Sequence, residues 1–179
     1  MSVVFVAGVH GVGKTTGCAD VSQSLGVPHA TASQIIRDGK VPGIVDASKV
    51  VQDMDENQLV LILGVRQILT HSKCLLLDGH FTLRTPQGIE PIPVRVFEAL
   101  SMRAIAVFYD DPVKIAARIS ERDKNVHHAD AIRAHQDVEL AHAHDVSRKL
   151  GIPIEVLDAF DAPRLARLVA SWLSPQDYN

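Results

Sequence analysis

Short apolar runs alternate along this chain with longer stretches whose apolar residues recur at helical spacing. The runs predict strands over 3–6, 27–30, 74–78, 104–108 and 154–157. The stretches between them predict helices over 14–25, 33–37, 55–70, 112–122 and 129–150, with a last helix starting near 161. Because apolar strands that alternate with helices form a parallel sheet covered on both faces, the pattern predicts a five-stranded, three-layer α/β sandwich.

Three local signals refine this map. Gly26 follows the first helix as a plausible C-cap, and Asp55 with Gln58 three residues later resembles a capping box. The stretch 85–93 contains three prolines and is expected to lack regular structure.

Composition limits the possible partners and location. A length of 179 residues with 46% hydrophobic content suits one globular domain, and a net charge of −3 argues against a nucleic-acid partner. The longest apolar run, 59–65, is too short to cross a membrane. Cys18 and Cys74 are expected to be buried, and the first strand leaves no room for a signal peptide, so a cytoplasmic location is expected.

The most specific motif follows the first predicted strand. The sequence from Gly8 to Thr15 fits the phosphate-binding pattern G-x-x-x-x-G-K-S/T between a strand and a helix. Its backbone N–H groups and the helix N-terminus would face triphosphate oxygens, with the lysine reaching the β- and γ-phosphates. The alternative is a glycine-rich turn without a ligand. The residues expected to bind ATP are Gly8, Gly11, Val12, Gly13, Lys14, Thr15 and Thr16.

Asp78 ends the third predicted strand, which places it at the same sheet edge as the loop. A carboxylate there can hold a Mg²⁺-bound water, while the Thr15 hydroxyl binds the metal directly. The alternative is an aspartate that caps the next turn. Thr15 and Asp78 are therefore the predicted magnesium ligands.

Cationic side chains complete the candidate site. Lys114, Arg118 and Arg122 share one helical stripe, which could neutralise a moving phosphoryl group or could be a solvated face balanced by Glu121. Arg37 and Arg84 follow strands at the ligand edge, where each could bind an acceptor phosphate or could be an ordinary surface arginine.

The nine histidines give a weaker signal. His128, His135 and His142 recur every seven residues, too far apart along a helix to share one metal ion, and are expected to be solvated. His80 is the exception, because it lies two residues past Asp78 and could line the acceptor pocket. His10 occupies a variable position of the phosphate loop, and its role stays open.

Together these residues resemble the P-loop nucleoside monophosphate kinases, most closely the archaeal-type adenylate kinases. The segment from Gly8 to Thr16 is similar to that family's phosphate loop, and 32–37 to its acceptor segment, which contains Ser33 and ends in a phosphate-binding arginine. The segment 77–80 followed by 85–86 resembles its aspartate strand and the proline-rich stretch after it, and 111–123 resembles the entry to its mobile lid.

The resemblance implies a single P-loop kinase domain over 1–179, with sheet order 2-3-1-4-5, a short lid around 118–133 and an acceptor-binding segment around 31–60. It assigns Lys14, Arg118 and Arg122 to catalysis. It also places the adenine of ATP near Arg118 and near the loop after the last strand, around 158–163. The residues expected to bind the acceptor are Ser33, Arg37, His80 and Arg84.

The expected function is ATP- and Mg²⁺-dependent phosphoryl transfer to a nucleoside monophosphate, with AMP as the first candidate. Asp78-Gly79-His80-Phe81 replaces the family's Asp-Gly-Phe-Pro-Arg, with the arginine displaced to Arg84. Two alternatives remain: a kinase of a nucleoside or other small hydroxylated metabolite, and a nucleotide-binding regulatory protein with weak ATPase activity. The oligomeric state is left open.

Overall fold

The computed structural model describes residues 2–39 and 55–173. The first part of the chain contains β1 (Ser2–Ala7), α1 (Lys14–Leu25), β2 (His29–Thr31), α2 (Ala32–Asp38), α3 (Glu56–Leu69), β3 (Cys74–Asp78), β4 (Thr82–Thr85) and β5 (Gly88–Pro91). The second part contains α4 (Val94–Ala99), β6 (Met102–Tyr109), α5 (Pro112–Asp123), α6 (Ala129–Leu150), β7 (Ile154–Asp158) and α7 (Ala162–Trp172).

Five strands form one parallel sheet in the order β2-β3-β1-β6-β7. Numbered along the chain as sheet strands alone, this is the expected order 2-3-1-4-5, and the predicted α/β fold class is confirmed. β1 lies in the centre, paired with β3 on one side and β6 on the other. The carboxyl ends of β1, β3 and β6 therefore meet at one edge of the sheet, where ligands bind in folds of this kind.

The central strand is buried on both faces, which explains why its sequence is a continuous apolar run. Val4 and Val6 point into the core beneath α1, α5 and α7. Val3 and Phe5 point into the opposite core beneath α3, α4 and α6. Both cysteines are buried, as expected.

A two-stranded hairpin corrects the expectation of irregular structure over 85–93. β4 and β5 pair with each other in an antiparallel ladder that joins Thr82 to Pro91. Proline is tolerated here because Pro91 ends an outer strand, where its missing N–H breaks no ladder bond. Gly88 turns the chain with a φ of 135°. Pro93 then precedes the short helix α4, which the sequence pattern did not predict.

Helix boundaries agree with the capping signals. Gly26 ends α1 in the left-handed conformation, and the Asp55 side chain accepts a hydrogen bond from the Gln58 backbone N–H at 2.9 Å. Across residues 2–39 and 55–173, no helix combines the length and apolar character needed to cross a membrane.

Candidate functional site

The loop after β1 takes a shape that only glycine supports at three positions. Gly8, Gly11 and Gly13 have φ values of 135°, 82° and 100°, in the left-handed region. A Cβ atom on Gly8 would also lie 2.5 Å from the backbone oxygen of Phe108. The three glycines therefore let the loop curl tightly between β1 and α1, a shape in which successive backbone N–H groups can face an anion.

Lys14 is held at the first position of α1 and is only 7% exposed. Its Nζ donates hydrogen bonds to the backbone oxygens of Gly8 at 2.6 Å and Val9 at 3.2 Å. Burial lowers the pKa of Lys14, and the negative charges of Asp78 and Glu139 act against that shift. The ammonium group thus lies inside the loop that would bind a triphosphate.

The structure brings the two predicted magnesium ligands together. Thr15 Oγ1 donates a hydrogen bond to Asp78 Oδ2 at 2.5 Å. Asp78 is 5% exposed and pairs in register with Val6, next to the start of the loop. A hydroxyl and a carboxylate are the hard oxygen donors that Mg²⁺ prefers, so these residues fit the ion.

Two of the three stripe cations border the loop. A cavity of about 280 Å³ is lined by phosphate-loop residues together with Arg118, Arg122 and Phe160. The Arg118 guanidinium forms an ion pair with Asp110 and lies 5.0 Å from the centre of the Phe160 ring. Arg122 pairs with Asp123 at 2.7 Å and contacts the His10 ring. Lys114 does not line this cavity.

From within the loop, His10 therefore faces Arg122 of α5. Burial lowers the pKa of His10, and the charges of Arg122 and Lys14 lower it further. A neutral imidazole at this position can accept a hydrogen bond from Arg122.

Phe160 is an aromatic residue whose role the sequence pattern missed. It follows β7 with a φ of 64° and is 51% exposed. Its ring packs so closely on the phosphate loop that a Cβ on Gly13 would lie 2.7 Å from it. The available signal was a rare aromatic directly after a strand at the ligand edge, in a chain with only 4% aromatic residues. The ring is half-exposed, and an aromatic ring of this kind can stack on a planar ligand.

The predicted acceptor residues are less tightly assembled. Ser33 and Arg37 are exposed on α2, and the Arg37 guanidinium donates a hydrogen bond to Gln34 Oε1 at 2.5 Å. Neither residue lines the cavity beside the phosphate loop. Much of the expected acceptor segment, residues 40–54, lies outside the described residues. Arg84 is exposed on β4, where its charge acts on His135.

His80 lies closer to the loop. Its Nδ1 is 3.8 Å from Glu139 Oε1, too far for a hydrogen bond, while the side chain as a whole is 35% exposed. Burial is the largest cause that lowers the pKa of His80, followed by the charge of Lys14. The ring is therefore neutral at neutral pH.

A buried carboxylate on α6 is a further residue that the sequence interpretation missed. Glu139 is 1% exposed and accepts hydrogen bonds from the Phe81 backbone N–H at 2.8 Å and from Thr82 Oγ1 at 2.5 Å. Burial raises the pKa of Glu139, and these hydrogen bonds oppose the shift. Its position offered a signal, because it shares a helical stripe with the apolar residues Ile132, Ala143 and Val146.

The expectation of solvated histidines on this helix is wrong for two of the three. His135 is buried and its Nε2 lies 2.9 Å from Thr82 Oγ1, and His142 Nε2 lies 2.7 Å from the backbone oxygen of Ile92. His135 contacts the first residue of the β4–β5 hairpin, and the partly buried His142 contacts the residue directly after the hairpin. His128 is exposed, as expected.

Comparison with known proteins identifies similar folds. A family model described as an AAA domain matches residues 7–135. No curated protein matches the chain. Solved structures that resemble it include a gluconokinase from Sinorhizobium meliloti, at 14% identity and a TM-score of 0.54, covering 98% of this chain and 93% of that one.

Two further structures have comparable similarity. A sugar kinase from a Janibacter species has 16% identity and a TM-score of 0.52, covering 96% of this chain and 94% of that one. An uncharacterized protein from Eubacterium ventriosum has 9% identity and a TM-score of 0.55, covering 96% and 97%. At these identities the likeness establishes a shared fold.

Proposed function

Since this chain belongs to the AAA domain family, we propose that it is a kinase that transfers the γ-phosphoryl group of ATP to a small molecule. The observation that carries the proposal is the hydrogen-bonded pair of Thr15 and Asp78 beside the buried Lys14. Oxygen ligands for a metal and a cation at a glycine loop are the groups that phosphoryl transfer requires.

The chain's own groups have distinct roles in this reaction. The loop N–H groups and the α1 N-terminus bind phosphate oxygens, and Lys14 exchanges the Gly8 and Val9 carbonyls for the β- and γ-phosphates. Arg118 and Arg122 approach from α5 and neutralise the transferred group. Thr15 and Asp78 would hold Mg²⁺, which when bound would neutralise negative charge on the triphosphate.

The adenine base has a candidate site beside the Phe160 ring. This ring and the Arg118 guanidinium border the same cavity as the phosphate loop. Stacking on an aromatic ring binds a base without reading its hydrogen-bonding edge, so the site supports a nucleotide more strongly than it identifies adenine.

The first candidate acceptor is a nucleoside monophosphate, and AMP is the first of these. The exposed arginines Arg37 and Arg84 support it, because a guanidinium group can bind a phosphate. A small hydroxylated metabolite is the second candidate, favoured by the two similar structures that are a gluconokinase and a sugar kinase. In that case the acceptor hydroxyl must lose a proton, and Asp78 or another carboxylate would have to accept it. Arg84 then binds a negatively charged group of the metabolite.

The deciding experiment measures ADP release from Mg·ATP with a panel of nucleoside monophosphates, nucleosides, sugars and sugar acids. One acceptor class should raise ADP release well above the rate with water alone. Lys14→Ala should lower kcat by about 100-fold or more, because it removes charge stabilisation in the transition state. Thermal unfolding checks that the variant stays folded.

Lys149→Ala is the matched control, since Lys149 is exposed at the end of α6 and pairs with Asp145. It should keep the wild-type rate. Near-normal transfer by Lys14→Ala would contradict the proposed role of Lys14. ATP binding without any acceptor-stimulated ADP release would instead favour a regulatory protein with weak ATPase activity.

A further inference from the structure

Arg122 stands in the last turn of α5, where its long side chain could take several orientations. The side chain is 53% exposed, yet Arg122 lines the same cavity as the residues of the phosphate loop. A mobile arginine loses side-chain freedom when it binds a phosphate, and this loss reduces the benefit of its charge. A contact that already selects the orientation facing the loop would therefore prepare Arg122 for phosphoryl transfer.

The Arg122 guanidinium is held by Asp123 and by His10, and the two contacts differ in what they join. Asp123 Oδ1 accepts a hydrogen bond from Arg122 Nε at 2.7 Å, and Asp123 Oδ2 accepts one from Nη2 at 3.2 Å. Because Asp123 is the next residue of the same helix, this ion pair moves with α5 and does not fix Arg122 relative to the loop. His10 lies 112 positions earlier, within the phosphate loop, and its Nε2 contacts Arg122 Nη2. The His10 contact therefore joins the end of α5 to the loop.

The chemistry of the His10 contact fixes the state of the imidazole ring. A guanidinium only donates hydrogen bonds, so His10 Nε2 must accept and the ring proton lies on Nδ1. A neutral acceptor suits this place, because a carboxylate in the loop would repel a triphosphate and an ammonium group would repel Arg122. Burial and the charges of Arg122 and Lys14 lower the pKa of His10, which favours this neutral form, whereas the Asp123 charge opposes the shift.

The turn after α5 supports the helix end that carries Arg122. The His127 backbone N–H donates a hydrogen bond to Ser120 Oγ at 3.1 Å, which folds the chain after α5 back onto the helix. His127 Nε2 also lies 3.8 Å from Asp123 Oδ2. This end of α5 is therefore held by its own turn, and His10 supplies the contact on the side of the phosphate loop.

We propose that His10 is a positioning residue that holds Arg122 over the phosphate loop before nucleotide binds. An arginine that is already oriented meets the transferred phosphoryl group without first losing its side-chain freedom, so it accelerates the reaction more. The inference rests on the proposed function for its effect on turnover, whereas the order of the Arg122 side chain can be measured without any substrate. Since His10 also lines the cavity, the alternative is a direct contact between His10 and the nucleotide.

The first test is the NMR order parameter of the Arg122 Nε–H group in the full chain without nucleotide. In the wild type it should exceed about 0.6, and in His10→Ala it should fall below that value, which marks flexible groups. His10→Gln should restore most of the order, because an amide oxygen can accept the same hydrogen bond. Thermal unfolding checks that both variants stay folded.

His144→Ala is the matched control, because His144 is an exposed histidine of α6 that does not line the cavity. Its Arg122 order parameter should equal that of the wild type. The same order parameter in His10→Ala and wild type would overturn the proposal, as would a flexible Arg122 side chain in the wild type.

Kinetics then tests whether His10 acts through Arg122. With an acceptor identified by the panel, His10→Ala should lower kcat by about tenfold, while KM for ATP changes by less than about threefold. Arg122→Ala should lower kcat by about 100-fold, and adding His10→Ala to it should cause no further loss. Losses that multiply in the double variant would indicate a direct contact of His10 with the nucleotide and overturn the proposal. An unchanged or raised kcat in His10→Ala would do the same.

The two measurements separate this inference from the kinase proposal. Absence of turnover in the wild type with every acceptor would contradict the kinase proposal, and the order parameters would still decide whether His10 holds Arg122. Turnover in a wild type whose Arg122 side chain is flexible would contradict only the role of His10.

Discussion

At the scale of single residues, the phosphate loop depends on backbone conformations that are unfavourable for any residue with a Cβ atom. Gly8 and Gly88 have the same φ of 135° but very different surroundings. The position of a Cβ on Gly8 is occupied by the Phe108 carbonyl oxygen, whereas nothing lies within 4 Å of the same position on Gly88. The two sites therefore separate the conformational cost of a side chain from the cost of a steric overlap.

Gly8→Ala should cost about 3 kcal/mol or more of unfolding free energy and abolish nucleotide binding, because the loop must move away from β6. Gly88→Ala should cost only about 1–2 kcal/mol, the conformational penalty alone, and leave nucleotide affinity unchanged. Urea unfolding and calorimetric titration with Mg·ADP measure both quantities. Equal losses in the two variants would show that the Phe108 oxygen does not restrict this loop.

At the scale of elements, helix α7 supports the segment that carries Phe160. Leu165 and Val169 are fully buried and pack into the core shared with α1. The helix begins at Asp161, whose Oδ1 accepts a hydrogen bond from the Arg164 backbone N–H at 3.0 Å. The N-cap thus fixes where the helix starts. Because Phe160 directly precedes the N-cap, the start of the helix also helps to position the Phe160 ring.

Asp161→Ala should lower the unfolding free energy by about 1 kcal/mol, because one helix N–H loses its side-chain acceptor. Asp161→Asn should retain most of the stability, since an amide oxygen can accept the same hydrogen bond. Chemical denaturation of both variants makes the comparison. If Asn costs as much as Ala, the carboxylate has a role other than capping.

At the scale of the whole molecule, burial of histidines links stability to pH. Burial, with the charges of Arg84 and Lys14, lowers the pKa of His135 to about 4. The unfolded chain binds a proton at this side chain near pH 6.5, whereas the folded protein binds it only near pH 4. Between these values the proton favours the unfolded state, so stability falls as pH decreases from about 6.5 to about 4 and levels off below.

His135→Gln should remove this component while keeping a polar group near Thr82. As the pH is lowered from 7 to 4, the wild type should lose about 2 kcal/mol more unfolding free energy than the variant loses. The pKa values of His10, His29 and His80 are lowered in the same direction, but those residues are present in both proteins and cancel in the difference. Parallel stability curves across this range would contradict the burial of His135 as a neutral ring.

Much of the fold could be predicted because its signals are local. Four of the five strands of the main sheet coincide with predicted apolar runs, whereas β2 (His29–Thr31) overlaps the strand predicted over 27–30 at two residues only. Helix α6 was predicted with the boundaries Ala129–Leu150 that the structure has. The phosphate loop and Asp78 could be identified because a strand, a glycine pattern and a strand-end carboxylate are short-range features. The hairpin was missed because prolines at the end of an outer strand look the same in sequence as prolines in a loop.

By itself, the sequence determined which segments form the sheet and which residues could bind a triphosphate, since both depend on side-chain periodicity and motif spacing. Only the tertiary structure decided that Glu139 is buried, that Phe160 lies against the loop and that Arg118 faces Asp110. Glu139 meets Phe81 across 58 positions of sequence. Whether a charged side chain stays in water or is buried depends on hydrogen-bonding partners that folding brings from such distant positions, and no local pattern records them.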